Sequence, residues 1–275
     1  MTQPMWLLEA GVYCSKIEPL AAEVRRQGME CRFVTYREIV KGPAPLPPGS
    51  CVITYGTYPT VRHAVLRLGW IPGGWCSSEN LDCAVYYPHF ADFLLNRWCE
   101  ILPGVTAIRE KDRLFAEFAR DGKVFARPTS VHKLFVGRLI AQEDFETALA
   151  PTRYDPETRI VVAKPCDIER EWRLVVEGDD VIAGSQYAER GERAIQPDCP
   201  DEVRDFASAV LAHVGWRPDE LFILDVGATE EGFKLIELNS FSCSWLYACD
   251  FAAVVEGASR LAAQAWERTT ASEHV

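Results

Sequence analysis

The sequence lacks the closely spaced cysteines and histidines of a zinc site. Its ten cysteines are scattered along the chain, no two of them form a C-x-x-C pair, and no histidine lies at zinc-finger spacing from them. Structural zinc sites need such spacing, so the pattern argues against a zinc-binding protein. The cysteines are interpreted as reduced and mostly buried thiols, which are typical of a cytoplasmic protein.

Long apolar runs are missing as well. No stretch approaches the ~20 consecutive apolar residues that a helix needs to cross a bilayer. The N-terminal segment Met1 to Leu8 lacks the basic region and the long apolar run of a signal peptide. We therefore expect a cytoplasmic protein without a membrane partner.

Positive charge is scarce. The chain has 29 Lys and Arg residues against 40 Asp and Glu residues, and its formal net charge is -11. Nucleic-acid binding needs clustered cations, so we expect no nucleic acid partner. A nucleotide pocket needs only a few local cations together with Mg²⁺, and in an acidic protein those cations must be well placed.

The composition is that of a globular protein. The 275 residues are 48% hydrophobic and 25% charged, which suits one large domain or two smaller ones. Predicted strands at Met5 to Leu8 and Cys51 to Tyr55 alternate with helical patterns, which favours a small α/β layer with a parallel sheet. Gly73 to Tyr87 has no clear pattern, His89 to Cys99 is predicted to be a helix, and Phe251 to Arg268 is predicted to be an Ala-rich helix.

The strongest chemical signal is a predicted hairpin, FILDVGATEEGFKLIELNSFS, from Phe222 to Ser242. Side chains alternate faces along a strand, so Glu237 and Asn239 point to the same side, and Asp225 lies roughly opposite Glu237 across the turn. Carboxylate and amide oxygens suit a hard cation such as Mg²⁺. The alternative is a surface hairpin whose carboxylates meet water or Lys234.

A second signal is ARPTSVHK, from Ala126 to Lys133. Arg127 and Lys133 lie around a short loop between two predicted strands, the second of them Lys133 to Leu139. A guanidinium and an ammonium beside backbone N–H groups can hold polyphosphate. Lone Arg and Lys residues are more often solvated, and a catalytic role for His132 is not favoured.

A third signal is the apolar strand EWRLVVE, in which Glu171 and Arg173 project from one face. An arginine in so apolar a strand is either paired within the structure or functional. The sequence leaves both interpretations open.

In order and spacing, the three signals resemble the ATP-grasp superfamily, and within it the bacterial and phage clade named for two arginines and one lysine. The resemblance covers about residues 109 to 247. It is carried by F-x-R-P-x-x-x-x-K at Phe125 to Lys133, E-W-R at Glu171 to Arg173, a looser G-x-x-x-x-x-Y at Gly178 and Gly184 to Tyr187, and D-V-G…L-I-E-L-N at Asp225 to Asn239.

The resemblance implies a mixed α/β and α+β architecture. A small N-terminal α/β domain, residues 1–103, would precede an ATP-grasp domain, residues 104–275, whose subdomains 104–177 and 178–275 grip the nucleotide. The implied cofactors are ATP and Mg²⁺.

The resemblance also implies roles for individual residues. Arg127 and Lys133 would contact the ATP phosphates, and Arg173 would bind phosphate or the acyl substrate. The strand from Ala163 to Cys166 would offer backbone groups to adenine, and Glu171 is counted with the nucleotide-binding residues. The implied Mg²⁺ ligands are Asp225, Glu237 and Asn239.

Two departures from the family pattern concern the phosphates. The glycine-rich loop that covers them in many ATP-grasp enzymes is not visible between Lys133 and Lys164, where only Gly137 occurs. Arg127 and Arg138 would then have to cover the ATP phosphates. Lys164, in a K-P pair, resembles a phosphate lysine of many relatives, so it competes with Lys133 for that role.

By family analogy the expected activity is an ADP-forming carboxylate–amine ligase that acts through an acyl phosphate on a small molecule such as an amino acid, or on a peptide. The alternatives are a non-catalytic nucleotide-binding module and an ATP-grasp phosphotransferase that forms no amide. Cys243, just past the hairpin, is expected to be a buried small side chain and not a nucleophile.

Overall fold

The computed structural model describes residues 2–12, 17–131, 134–197 and 199–272, and its first layer is a four-stranded parallel sheet. The strand order is β2-β1-β3-β4, so the predicted parallel sheet is confirmed. The bounds are β1 Met5–Glu9, β2 Cys31–Val34, β3 Cys51–Tyr55 and β4 Ile71–Gly73.

Three helices accompany this sheet: α1 Glu18–Arg26, α2 Tyr36–Lys41 and α3 Tyr58–Arg67. Helix α2 was not predicted, although its start carries a sequence signal. The Thr35 hydroxyl accepts a hydrogen bond from the Glu38 backbone N–H, and the Glu38 carboxylate accepts one from the Thr35 backbone N–H. This reciprocal cap satisfies two N–H groups that have no partner within the helix.

The segment that follows the first layer corrects the prediction. Helix α4 spans Cys83–Phe90, so it begins in the stretch that had no clear pattern and ends near the start of the helix predicted from His89 to Cys99, which is wrong. A single turn of 3-10 helix at Ala91–Phe93 ends the helical region, and strand β5 follows at Cys99–Pro103. Between them the chain runs extended, with the Leu95 N–H bonded to the Leu235 carbonyl.

The second layer is a four-stranded antiparallel sheet with the order β5-β8-β6-β7. Strand β7 begins at Arg138, later than the predicted strand at Lys133 to Leu139. Helices cover one face and enclose a core of Leu, Phe, Val and Ile side chains. The new elements are α5 Gly104–Arg109, α6 Lys111–Phe118, β6 Lys123–Pro128, β7 Arg138–Ala141, α7 Phe145–Leu149 and β8 Arg159–Ala163.

The third layer is a five-stranded antiparallel sheet with the order β11-β10-β9-β12-β13. The predicted hairpin from Phe222 to Ser242 is confirmed, strands β9 and β10 form a second hairpin, and the C-terminal helix extends further than predicted. The bounds are β9 Arg170–Glu177, β10 Asp180–Glu189, β11 Glu192–Gln196, α8 Asp201–His213, β12 Leu221–Thr229, β13 Gly232–Ser240 and α9 Phe251–Ser272.

The two faces of this third sheet have different neighbours. Leu174 and Leu224 belong to a core that includes residues of α4 and α8, whereas Val175 and Ile223 face a core shared with α1, α9 and the parallel sheet. Because side chains alternate along a strand, Arg173 and Asp225 continue the second face, where the apolar surface turns polar. The candidate site lies where this face of the sheet changes from apolar to polar.

The core between α1, the parallel sheet and α9 joins the two ends of the described chain. It contains Trp6, Leu20, Ile53, Val254 and Ala258, all of them fully or nearly fully buried. The boundary proposed at residue 103 stays a prediction. None of the helices in the described ranges is long and apolar enough to span a bilayer.

Asp219, in the loop before β12, links this part of the chain to the N-terminal region. One carboxylate oxygen accepts a hydrogen bond from the Ser77 N–H at 3.2 Å, and the other accepts one from the Glu220 N–H at 3.0 Å. Burial raises the pKa of the Asp219 carboxyl from 3.8 to about 6, although these two hydrogen bonds lower it. The folded protein therefore favours the protonated carboxyl near pH 5.

We expect the stability of the protein to depend on pH through Asp219. Because the folded-state pKa is the higher one, the stability contributed by the protonated form is complete below about pH 3.8 and is lost as the pH rises through about 6. Relative to wild type, the non-titrating Asp219→Asn variant should gain about 2 to 3 kcal/mol between about pH 4 and about pH 8. Urea denaturation of both proteins measures this difference. A stability difference between the two proteins that stays constant with pH, as the loss of one hydrogen bond would produce, would contradict this prediction.

Candidate active site

Three neighbouring strands bring Arg173 and Asp225 together. Asp225 on β12 pairs in register with Arg173 on β9 and with Glu237 on β13. The Arg173 guanidinium donates two hydrogen bonds to the Asp225 carboxylate, at 2.9 and 2.6 Å. Asp225 is completely buried and Arg173 nearly so. The arginine that the sequence left as either paired or functional is therefore paired.

The pair is charged in spite of its burial. Burial alone would lower the pKa of the Arg173 guanidinium, but the charge and hydrogen bonds of Asp225 raise it above its usual range. A buried arginine with a bidentate carboxylate partner keeps its proton at any working pH. Arg173 is thus a fixed positive charge with known orientation.

A second ion pair crosses between the two antiparallel sheets. Arg127, on β6 of the second layer, donates from Nη1 to Glu237 Oε2 on β13 of the third layer at 2.6 Å. Burial would lower the pKa of Arg127, and the charge of Glu237 is the main influence that raises it well above the usual value. This contact holds the two layers together at the site.

Asn239 connects the two ion pairs. Its side-chain amide donates to Asp225 Oδ2 at 3.2 Å and to Glu237 Oε1 at 2.8 Å. The result is a continuous chain of polar contacts in the order Arg127, Glu237, Asn239, Asp225, Arg173. The predicted convergence of the two carboxylates and the amide is observed, together with two arginine partners that the hairpin sequence alone does not show.

An aromatic wall encloses Arg173. The rings of Tyr187 and Tyr247 stack at 5.0 Å, and the guanidinium lies 5.6 Å from the first ring and 5.1 Å from the second. Arg173 also donates to the backbone carbonyl of Trp245 at 3.0 Å. Sequence reasoning assigned no role to Trp245 or Tyr247. The sequence marks them only as two aromatic residues that follow shortly after β13.

Glu171 lies beside this wall and accepts a hydrogen bond from the Tyr187 hydroxyl at 2.6 Å. Burial raises the pKa of the Glu171 carboxyl; the hydrogen bond from Tyr187 lowers it, and the nearby charges of Asp225 and Glu237 raise it. Glu171 therefore belongs to the same electrostatic cluster. The sequence expectation that it shares a face with Arg173 agrees with this position.

The remaining predicted residues lie elsewhere. Lys164 and Cys166 line a cavity of about 320 Å³ between the end of β8, the Leu94–Trp98 segment and the β12–β13 turn. Ala163 is fully buried in β8 between Cys99 and Phe125 of the adjacent strands. Lys133 and His132 lie outside the described residues.

The chemistry of the donor set fits Mg²⁺. In the described part of the chain no three His, Cys, Asp or Glu side chains cluster as a metal site, so the candidate ligands are two carboxylates and one amide. An ionised carboxylate has about four acceptor positions, so it can accept hydrogen bonds and bind a cation at the same time. Mg²⁺ commonly binds one or two protein carboxylates and takes its other ligands from water and phosphate.

Solved structures share this fold. The chain is similar to D-cycloserine synthetase DcsG, with 12% identity over 94% of this chain and 99% of that chain and a TM-score of 0.66. D-alanine–D-alanine ligase from Bacillus anthracis is 12% identical over 99% of this chain and 100% of that chain, with a TM-score of 0.61. The ATP-grasp ligase PsnB with its minimal precursor is 15% identical over 96% of this chain and 100% of that chain, with a TM-score of 0.60. At these identities the likeness shows an ATP-grasp fold.

The family follows from a sequence match. Residues 107–256 match the family model described as ATP-grasp domain, R₂K clade family 2, and the chain belongs to this family. The matched range contains all five residues of the polar chain from Arg127 to Arg173, and the resemblance stated from the motifs is confirmed. No curated protein matches the chain.

Proposed function

We propose that the chain is an ATP- and Mg²⁺-dependent ligase that joins a carboxylate to an amine and releases ADP. The observation that carries this proposal is the polar chain from Arg127 to Arg173 between two sheets of an ATP-grasp fold. It combines two fixed cations with an oxygen donor set, the combination that phosphoryl transfer requires.

Each residue of the cluster has a proposed role. Asp225, Glu237 and Asn239 hold Mg²⁺, which supplies charge neutralisation and orients the phosphates when bound. Arg127 and Arg173 provide positive charge for the transferred phosphoryl group and orient the acyl substrate. Their raised pKa values keep both guanidinium groups protonated throughout the reaction.

The proposed position of the nucleotide base is the cavity lined by Lys164 and Cys166. This cavity lies at the end of β8, and backbone groups of the segment from Ala163, the last residue of the strand, to Cys166 are the proposed partners of the base. Glu171 is proposed to contribute to nucleotide binding next to Arg173. Separate substitution of Lys133 and of Lys164 distinguishes which of the two lysines contacts the phosphates.

The proposed reaction has two steps. A substrate carboxylate oxygen attacks the γ-phosphorus of ATP, the bond to the β-phosphate oxygen breaks, and ADP leaves. The amine nitrogen then attacks the acyl carbon, phosphate leaves with the bond electrons, and the nitrogen loses one proton to phosphate or water to give the amide. The likeness to D-alanine–D-alanine ligase and to PsnB, described with a precursor peptide, supports an amino acid or a peptide as substrate.

Thermal unfolding with MgCl₂ alone, ATP with EDTA, and ATP with MgCl₂ tests the binding step. At about 100 times its dissociation constant, a ligand adds about 2.7 kcal/mol, and we expect a shift of a few degrees that needs ATP and grows with Mg²⁺. No shift at about millimolar ATP would contradict ATP binding.

Product analysis tests the ligase step. Paired carboxylates and amines are screened for ADP release, and we expect an amide product that requires both partners. ADP release with a stable phosphorylated product and no amide would instead identify a phosphotransferase.

A further inference from the structure

Cys243, just after β13, meets a second thiol. The sequence favoured a buried small side chain at this position, and the structure shows a half-buried one whose Sγ lies 3.6 Å from the Sγ of Cys76. Cys76 follows β4 in the N-terminal region, 167 positions earlier in the chain. Neither thiol takes part in the proposed ligase chemistry.

The backbones around the two thiols are held side by side. The Trp75 carbonyl accepts hydrogen bonds from the Ser240 hydroxyl at 2.8 Å and the Ser242 N–H at 3.3 Å. The Trp75 N–H donates to the Ser242 hydroxyl at 3.0 Å. The proximity of the sulfur atoms is therefore set by both segments and not by one mobile side chain.

Two further contacts fix this arrangement. The Phe241 ring packs edge-on against Tyr55 and Trp75, each at 5.8 Å. Gly74 brings the chains close, because a Cβ at this position would lie 3.1 Å from the Ser242 hydroxyl, and its φ of +151° disfavours other residues. The sulfur atoms need to approach by only about 1.5 Å to reach the ~2.05 Å of a disulfide bond.

The two thiols differ in reactivity. Cys243 donates its S–H to Cys76, and this bond lowers the pKa of Cys76 although burial raises it; the Arg62 charge also lowers it. The same hydrogen bond, together with burial, raises the pKa of Cys243. Cys76 is thus the more nucleophilic sulfur, since the thiolate is the reactive form.

We propose that Cys76 and Cys243 are a redox-sensitive pair that closes to a disulfide on reaction with a peroxide. The Cys76 thiolate attacks one peroxide oxygen, the O–O bond breaks, and Cys76 becomes a sulfenic acid as hydroxide leaves and takes up a proton. The Cys243 sulfur then attacks the Cys76 sulfur, the S–O bond breaks, and the oxygen leaves as water with the Cys243 proton. Two thiols and one hydrogen peroxide give one disulfide and two waters.

The cross-link would join the N-terminal region to the segment that follows Asn239. It goes beyond the proposed ligase function and does not depend on it, because neither disulfide formation nor its effect on unfolding involves ATP. Failure of the ATP experiments would not contradict the proposed disulfide. Absence of the disulfide would equally not contradict the proposed ligase function.

The test treats the reduced full-length chain with hydrogen peroxide, alkylates the remaining thiols and maps the peptides by mass spectrometry. The matched control is Cys249→Ser, which removes a buried thiol six residues further on and leaves the pair intact. Oxidation of Cys166, an exposed thiol, shows that the peroxide reacted. Cys76→Ser and Cys243→Ser each remove one partner.

We expect one cross-linked peptide pair containing Cys76 and Cys243 in the wild type and in Cys249→Ser, and none in the two partner variants. A dithiol reductant should reverse it. The cross-link should raise the unfolding temperature by several degrees, because it constrains a long loop of the unfolded chain. Oxidised Cys166 with Cys76 and Cys243 both still alkylated, or cross-links distributed among other cysteines, would overturn the proposal.

Discussion

Replacing Asp225 with alanine is expected to lower the free energy of unfolding by about 3 to 5 kcal/mol. The Asp225 carboxylate is completely buried and takes both hydrogen bonds of the Arg173 fork. Without it, a guanidinium that is nine-tenths buried keeps its charge and has lost its counterion. Urea denaturation of the variant and the wild type at one temperature measures the loss, provided that the slopes of the two transitions agree.

The cost of an unpaired charge can be separated from the cost of lost packing. Asp179→Ala is the control, because it removes an Asp–Arg pair whose aspartate is 82% exposed, and it should cost less than about 1 kcal/mol. The double variant Arg173→Met with Asp225→Ala removes the buried charge, so it should recover much of the loss. A double variant as unstable as Asp225→Ala would assign the cost to packing. A single variant within about 1 kcal/mol of wild type would contradict the buried pair.

The hairpin that carries Asp225 and Glu237 was predictable because its signals are local. Two apolar segments on either side of a short polar turn specify two paired strands. The turn alone would place Asp225 opposite Ile236, and a register shift between Asp225 and Val226 places it opposite Glu237 instead. The α/β pattern of the first layer and the C-terminal helix follow from equally local signals. The motifs and their spacing were sufficient to identify the family.

The arginine partners were not predictable from pattern alone. Arg127 and Glu237 lie 110 positions apart, and their contact exists only because β6 of the second layer meets β13, the edge strand of the third. The stacking of Tyr187 on Tyr247 around Arg173 depends in the same way on the path of the chain after β13. A single sequence does not show which distant strands approach each other.

The error between Cys83 and Cys99 has a specific cause. Phe90, Phe93 and Leu94 have helical spacing, which predicted a helix at His89 to Cys99. The true helix α4 ends at Phe90 and carries Pro88, a residue that disfavours helix prediction. Leu94 and Leu95 instead run beside Leu235 of β13, and this tertiary pairing overrides the local spacing.

Replacing Glu237 with glutamine is expected to remove Mg²⁺-dependent ATP use while keeping the fold. Glutamine has nearly the same shape, and its carbonyl oxygen still accepts the Arg127 hydrogen bond, so the contact between the sheets persists. What is lost is the negative charge that the proposed Mg²⁺ site needs, together with the hydrogen bond from Asn239, because the glutamine NH₂ group would face that donor. We expect ATP turnover to fall by about 100-fold or more, and the Mg²⁺-dependent part of the ATP-induced thermal shift to disappear.

The control for this variant is Glu177→Gln, at the far end of β9. Glu177 is exposed to nearly the same extent as Glu237, 14% against 17%, and each accepts a 2.6 Å contact from an arginine. The partner arginines differ, since Arg260 is 49% exposed and Arg127 only 12%, so the stability cost of neutralising the glutamate is expected to be larger in Glu237→Gln. Loss of a metal ligand is distinguished from that cost because it would remove the Mg²⁺ dependence in Glu237→Gln alone. A Glu237→Gln protein that retains the full Mg²⁺-dependent shift would show that this carboxylate serves only to hold Arg127. The proposed metal site would then have to be withdrawn, while the ATP-grasp fold and the two ion pairs would stand.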